Sequence, residues 1–275
     1  MSETFNLIID PSSLPNGVTS SNNVTVTILD QDAVNVKFSK QKYTYKEGNK
    51  GSEISVNLIF NNPSSSDIIL QVQNSDFTAT GDVDYTSGPY IVTFPAGMIT
   101  ASFNIPILDD NVLENDEQFQ LSIIFNSLPD RVTISDPSQT TVTIRDDDDI
   151  TVTFKQSMYY VDEDEEAVKP TLVLSNPSST NITITVNTRD NAATESDYMS
   201  GQYTVVFLPN AIEVSFNIPV FEDEIREDGE SFILTITDRT QPRKVNIGQR
   251  SQTIVNIGDT TGELIVNLLT YLCMP

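Results

Sequence analysis

Apolar and polar residues alternate with period two along most of this chain, while the 3.6-residue period of a helix is nearly absent; the pattern predicts an all-β protein. In the central stretch the inward positions read as Val34, Val36 and Phe38, then Ile54, Val56, Leu58 and Phe60, then Ile68, Leu70 and Val72. They continue with Ile91, then Phe103, Ile105 and Ile107, then Phe119, Leu121 and Ile123, and close with Val142 and Ile144. Turn formers such as Asn61-Asn62-Pro63-Ser64, Ser87-Gly88-Pro89 and Pro95-Ala96-Gly97 separate these runs. About seven short strands per unit suit two packed antiparallel sheets, so the expected fold is a tandem array of seven-stranded antiparallel β-sandwiches of immunoglobulin-like type.

The array follows from an internal repeat. Residues 103–119 read FNIPILDDNVLENDEQF and residues 216–232 read FNIPVFEDEIREDGESF. Asp84 and Asp197 are 113 residues apart, as are Phe94 and Phe207, whereas Phe38 and Phe154 are 116 apart; roughly three residues are lost from loops in between. The boundaries implied are a C-terminal remnant of a preceding unit at 1–33, full units at 34–148 and 149–262, and a tail at 263–275. Residues 1–33 match only the end of a unit, with Glu3, Phe5 and Leu7 in the places of Glu117, Phe119 and Leu121; two strands enclose no core, so a marginal hairpin is expected, with the natural protein extending upstream. Pro106 and Pro219 belong at a sheet edge or bulge, where no ladder donor is needed. The recurring phenylalanines read as core, and Tyr85 and Tyr198 as anchors with their hydroxyls in water.

Charge then changes the picture. The chain carries 15 Lys and Arg against 39 Asp and Glu, a formal net charge of −24. That excludes a nucleic-acid partner, which needs clustered cations. In each repeat the acids fall in one short loop between apolar strands, where mutual repulsion demands a cation among them. Calcium suits such a loop, since it takes six to eight oxygens in irregular geometry. Zinc is disfavoured because there is no His and the single Cys, Cys273, is remote. No apolar run approaches the roughly 18 residues of a membrane span, and the stretch 264–272 is short and contains Asn267. The first residues lack the basic start and apolar centre of a signal peptide. Two sequons, Asn23-Val24-Thr25 and Asn181-Ile182-Thr183, permit glycosylation in a secreted chain. With no His, no Gly-x-Ser-x-Gly elbow and no Gly-rich phosphate loop, binding rather than catalysis is expected.

Five marks in order resemble Calx-beta repeats, the modules of sodium/calcium exchangers, certain integrins and sponge aggregation factors. They are Tyr45-Lys46-Glu47-Gly48, Gly81-Asp82-Val83-Asp84-Tyr85, Thr93-Phe94-Pro95-Ala96-Gly97, the acid-rich phrase at 109–119, and the closing Thr143-Ile144-Arg145-Asp146-Asp147-Asp148. The resemblance implies Ca2+ ligands at Glu47, Asp84, Asp109, Asp110, Glu114, Glu117, Asp146, Asp147 and Asp148 in the first full repeat. In the second it implies Glu163, Asp197, Glu222, Asp223, Glu227, Glu230 and Asp259. There Thr260 and Thr261 replace the second and third closing aspartates, so fewer or weaker ions are expected. In the remnant, Glu3, Asp30 and Asp32 lack their partners.

The expected role is a calcium-stiffened, extracellular cell-adhesion or matrix array whose partners are calcium ions, with other repeats of the same array, glycans or cell-surface proteins as further candidates. The alternative is a regulatory calcium sensor within a membrane transporter or receptor.

Overall fold

The structure, a computed structural model, describes residues 3–19, 23–29, 32–48, 51–125, 128–225, 229–240 and 244–259. Among the described residues no helix is long and apolar enough to cross a membrane. Two compact units emerge, one formed by Met1–Leu108 with Asp116–Arg145, the other by Asp109–Asn115 with Asp146–Pro275.

The first unit begins with β1 (Glu3–Leu7) and β2 (Val24–Ile28), followed by β3 (Val34–Phe38), β4 (Lys42–Lys46), β5 (Glu53–Phe60) and β6 (Ile68–Asp76). It continues with β7 (Tyr90–Phe94), β8 (Thr100–Pro106), β9 (Glu117–Ile123), β10 (Val132–Ile134) and β11 (Gln139–Arg145). Two sheets form its sandwich, ordered β10-β3-β5-β8 and β4-β11-β9-β6-β7. The seven expected strands are all present, but the first and last each break and switch sheets, giving the pairs β3/β4 and β10/β11. An odd number of antiparallel strands leaves the first and last running the same way, so β10 pairs with β3, and β11 with β4, in parallel register. Pro106 ends β8, an edge strand, as its missing donor requires.

Alternating side chains from both sheets fill the core. Val36, Phe38, Val56, Leu58, Leu70, Val72, Ile105, Phe119, Leu121 and Val142 have no exposed surface. Ile91 does not join them. It is 55% exposed because the β6/β7 register sets Val72 opposite Tyr90, Leu70 opposite Val92 and Ile68 opposite Phe94, which turns Val92 and Phe94 inward. The expected wet hydroxyl of Tyr85 is also corrected. The ring is fully buried, stacked on Phe119 with centroids 3.8 Å apart, and its hydroxyl donates to Asp76 Oδ1 at 2.5 Å. Tyr198 repeats this with Phe232 at 3.9 Å and Asp190 at 2.6 Å. Burial, and then the facing carboxylate, push both phenols well above their ordinary pKa.

The second unit contains β12 (Ile150–Phe154), β13 (Met158–Asp162), β14 (Ala167–Val168), β15 (Thr171–Leu174), β16 (Ile182–Asp190) and β17 (Gln202–Phe207). It ends with β18 (Glu213–Ser215), β19 (Ile218–Pro219), β20 (Glu230–Thr240), β21 (Val245–Ile247) and β22 (Gln252–Gly258). Its sheets run β18-β15-β12-β21 and β13-β22-β20-β16-β17, with a short β14-β19 ladder beside them. Pro170 lies between β14 and β15, where it supplies no N–H, and the strand breaks there. Leu113, from the acid-rich loop Asp109–Asn115, belongs to this unit's core at 1% exposure, and its amide donates to the Pro177 carbonyl at 3.0 Å.

The hairpin β1-β2 is a separate two-stranded sheet in which Glu3 faces Ile28, Phe5 faces Val26 and Leu7 faces Val24. Glu117 facing Ile144 and Phe119 facing Val142 show the same register. Phe5, Leu7 and Ile28 stay about half exposed, whereas Phe119, Leu121 and Ile144 are buried.

Truncating Phe119 to Ala removes a stacked aromatic from a dry core and should destabilise the first unit by about 3–5 kcal/mol. Urea unfolding followed by far-UV circular dichroism checks this; a midpoint matching the parent protein contradicts the packing described.

Candidate metal centre

Four loop segments are brought to one end of the first sandwich by backbone bonds that the strand ladders dictate. The parallel β4/β11 pairing ends with the Glu47 amide donating to the Arg145 carbonyl at 3.0 Å, which sets Glu47 beside the start of the acid run 146–149. The Leu108 amide donates to the Asp84 carbonyl at 2.9 Å, so Asp84 lies next to the loop carrying Asp109 and Asp110. Glu117 opens β9 opposite Ile144 and therefore sits near the same strand end. Asp84 is held in turn by the Thr80 amide, which donates to its Oδ2 at 2.6 Å, and Asp110 Oδ1 accepts from the Val112 amide at 2.7 Å.

Two carboxylate groups result. Glu47, Asp146 and Asp148 each offer an oxygen within 4.8 Å of the others, as do Asp84, Glu114 and Glu117. Asp109, Asp110 and Asp147 fall outside these triplets, but their charges reach Asp148. Burial, together with the charges of Asp146, Asp110, Asp147 and Asp109, raises the Asp148 carboxyl to about 6. Asp146 is the buried member, with its side chain 3% exposed, and its Oδ2 accepts from Lys244 Nζ at 2.6 Å.

The second repeat reproduces the scaffold. The Glu163 amide donates to the Gly258 carbonyl at 3.0 Å and the Phe221 amide to the Asp197 carbonyl at 2.9 Å. Asp197 Oδ2 accepts from the Thr194 amide at 2.7 Å, Asp223 Oδ1 from the Ile225 amide at 2.7 Å, and Glu230 opens β20 opposite Ile257. Glu163 and Asp197 are buried, Glu222 is exposed, and Asp259 follows β22. Glu227 lies outside the described residues, as do Thr260 and Thr261. Among the described residues no acid triplet of this repeat reaches the spacing seen in the first.

Sequence reasoning missed Lys244. An isolated lysine in the phrase Arg243-Lys244-Val245 carries no local signal; the position is identified only by matching it to Arg131 across the repeat, 113 residues earlier.

Tandem β-sandwiches, the first with loop carboxylates gathered at the end where its last strand finishes, define a modular class of all-β protein. The family model described as Calx-beta domain matches residues 29–148 and 145–261, and the chain belongs to that family. It is 26% identical over 203 residues to the sodium/calcium exchanger Calx of Drosophila melanogaster, covering 73% of this chain and 21% of the exchanger. It is 25% identical over 298 residues to extracellular matrix protein 3 of Lytechinus variegatus, covering 99% of this chain and 9% of that protein. Similarity to adhesion G-protein coupled receptor V1 of Danio rerio is 25% over 286 residues, covering 93% of this chain and 4% of the receptor. The chain thus spans about a fifth or less of the length of these relatives. Among solved structures, CBD12 from CALX1.2 aligns with 81% of this chain and 98% of its own, at 21% identity and a TM-score of 0.39.

A carboxyl whose pKa rises on folding holds its proton more tightly in the folded chain, so its contribution to stability grows as pH falls through about 6 toward the ordinary carboxyl range and is absent above it. In chelator, Asp148→Asn should therefore melt above the parent protein at pH 7.5, and the gap should shrink by pH 5. Differential scanning calorimetry at the two pH values checks the sign.

Proposed function

We propose that this chain is a calcium-binding tandem Calx-beta module, serving as a calcium-stiffened segment of an extracellular adhesion or matrix array. The observation that carries the reading is the pair of carboxylate triplets at one loop end of the first repeat, with oxygens within 4.8 Å and one carboxyl pushed up to about 6 by burial and by its acidic neighbours. Such a concentration of negative charge is relieved by a divalent cation. Calcium is the cation that fits best. Its six to eight oxygen ligands at about 2.3–2.6 Å tolerate irregular loops, whereas magnesium demands near-octahedral geometry and keeps its waters.

In the first repeat the holding residues are Glu47, Asp84, Asp109, Asp110, Glu114, Glu117, Asp146, Asp147 and Asp148. In the second they are Glu163, Asp197, Glu222, Asp223, Glu227, Glu230 and Asp259, a weaker set because Thr260 and Thr261 bring no charge. Bound calcium supplies charge neutralisation at this end; the chain's own residues supply the ladders and turn amides that hold the oxygens together. Likeness to a matrix protein across 99% of the chain favours the adhesive array, with an extracellular location and other repeats, glycans or cell-surface proteins as partners. Likeness to a sodium/calcium exchanger favours the second reading, a regulatory sensor. Surface labelling of intact cells that make the natural protein separates the two.

Ions that bind only the folded state stabilise it by mass action, about 2.7 kcal/mol at a hundredfold excess over Kd. Melting temperature should therefore rise between excess EGTA and millimolar calcium. Isothermal titration should give heat that an Asp109→Ala/Asp110→Ala double variant largely loses. An unchanged melting temperature and a flat titration overturn the assignment.

A further inference from the structure

We propose that Lys244 is a tethered cation that holds Asp146 in the metal-free protein and competes with calcium for it, so that this one side chain sets the affinity for the ion that uses Asp146. The inference rests on the calcium reading above. It starts from the second unit's own ladder: β12 and β21 run parallel with Ile150 opposite Val245, and the Ile150 amide donates to the Lys244 carbonyl at 2.9 Å. That register sets the residue just before β21 alongside the acid run just before β12. The Lys244 amine then donates to the Asp146 carbonyl and, at 2.6 Å, to its Oδ2.

Both oxygens of Asp146 are thereby engaged, since Oδ1 accepts from the Asp148 amide at 3.3 Å. A metal ion that takes Asp146 as a ligand must share these oxygens with the donors or displace one, and the amine is both the mobile donor and a cation that the ion repels. It sits on a long flexible stem, its side chain is 35% exposed, and water lies within its reach. The carboxylate is the fixed partner, its side chain only 3% exposed, so leaving it unpaired without metal is strongly unfavourable. The pairing differs from the protein's surface ion pairs, such as Lys155 with Glu213, whose side chains are 49% and 48% exposed and contribute little. The position recurs. Arg131 stands 113 residues before Lys244, its carbonyl accepts from the Val34 amide at 3.0 Å, and it lines a cavity of about 500 Å³ together with Asp32, from the acid run that precedes β3. Both repeats thus carry a basic residue just ahead of the penultimate strand segment, Lys244 on Asp146 and Arg131 at the cavity that Asp32 also lines.

The test compares Lys244→Met and Lys244→Gln with the parent protein and with Lys155→Met, which removes an equal charge elsewhere. In EGTA both Lys244 variants should melt lower, by about 5 °C or more, with the Lys155 variant unchanged. In calcium titrations both should bind more tightly, by about tenfold for the ion that uses Asp146, and the melting gap should close at saturating calcium. If the parent protein binds calcium and the Lys244 variants bind it equally or more weakly, Lys244 is not a competitor and the inference fails while the site stands. If neither binds calcium, the site itself is overturned and the competition with it. A matching affinity gain in Lys155→Met also defeats the inference, because net charge alone then accounts for the change.

Discussion

Repulsion between carboxylates held at close quarters is the constraint on which this protein's organisation turns. A sandwich of alternating side chains needs no acids at its loop ends, yet here Glu47, Asp84, Glu114, Glu117, Asp146 and Asp148 are gathered there in two tight triplets. Backbone geometry does the gathering. The parallel run of β11 beside β4 carries Glu47 to the Arg145 carbonyl, and the Leu108 amide ties the acid-rich loop to Asp84. These bonds continue the strand ladders beyond the packed core, and they hold the acids' backbone positions together. Burial and this repulsion together show in Asp148, whose carboxyl is raised to about 6.

Two other groups show how the protein contains such charge without metal. Lys244 answers the buried Asp146 from the turn just before β21. Tyr85 and Tyr198 answer Asp76 and Asp190 from inside the core, each stacked on a phenylalanine and donating its hydroxyl outward to the carboxylate. In every case a fixed acid is met by a donor from a segment that lies between strands, so the loops that join the sheets also hold their charged ends.

Much of this was legible in the sequence. Period-two alternation identified the strands and most of the core, because each face of a sandwich strand is either packed or wet. The repeat made the acids legible as a set, since Asp84 and Asp197, or Asp110 and Asp223, recur at one spacing with the same turn amides around them. Ile91 was misread because Tyr90, Ile91 and Val92 are all apolar, and only pairing with β6 decides which of them faces inward. The sheet-switching breaks after Phe38 and Ile134 were not legible either, as a strand that changes sheets keeps the same alternation on both sides. The hydroxyl of Tyr85 depended on Asp76, and Asp146 on Lys244, contacts that exist only once the ladders have formed.

The parallel pairing of β4 with β11 has a mechanical consequence. In a sandwich whose first and last strands run side by side in the same sense, a pull applied at the two ends of the repeat acts along the ladder rather than across it. The hydrogen bonds from Thr141 opposite Lys42 to Arg145 opposite Lys46 are then loaded together in shear, and the module yields only when the whole clamp slips.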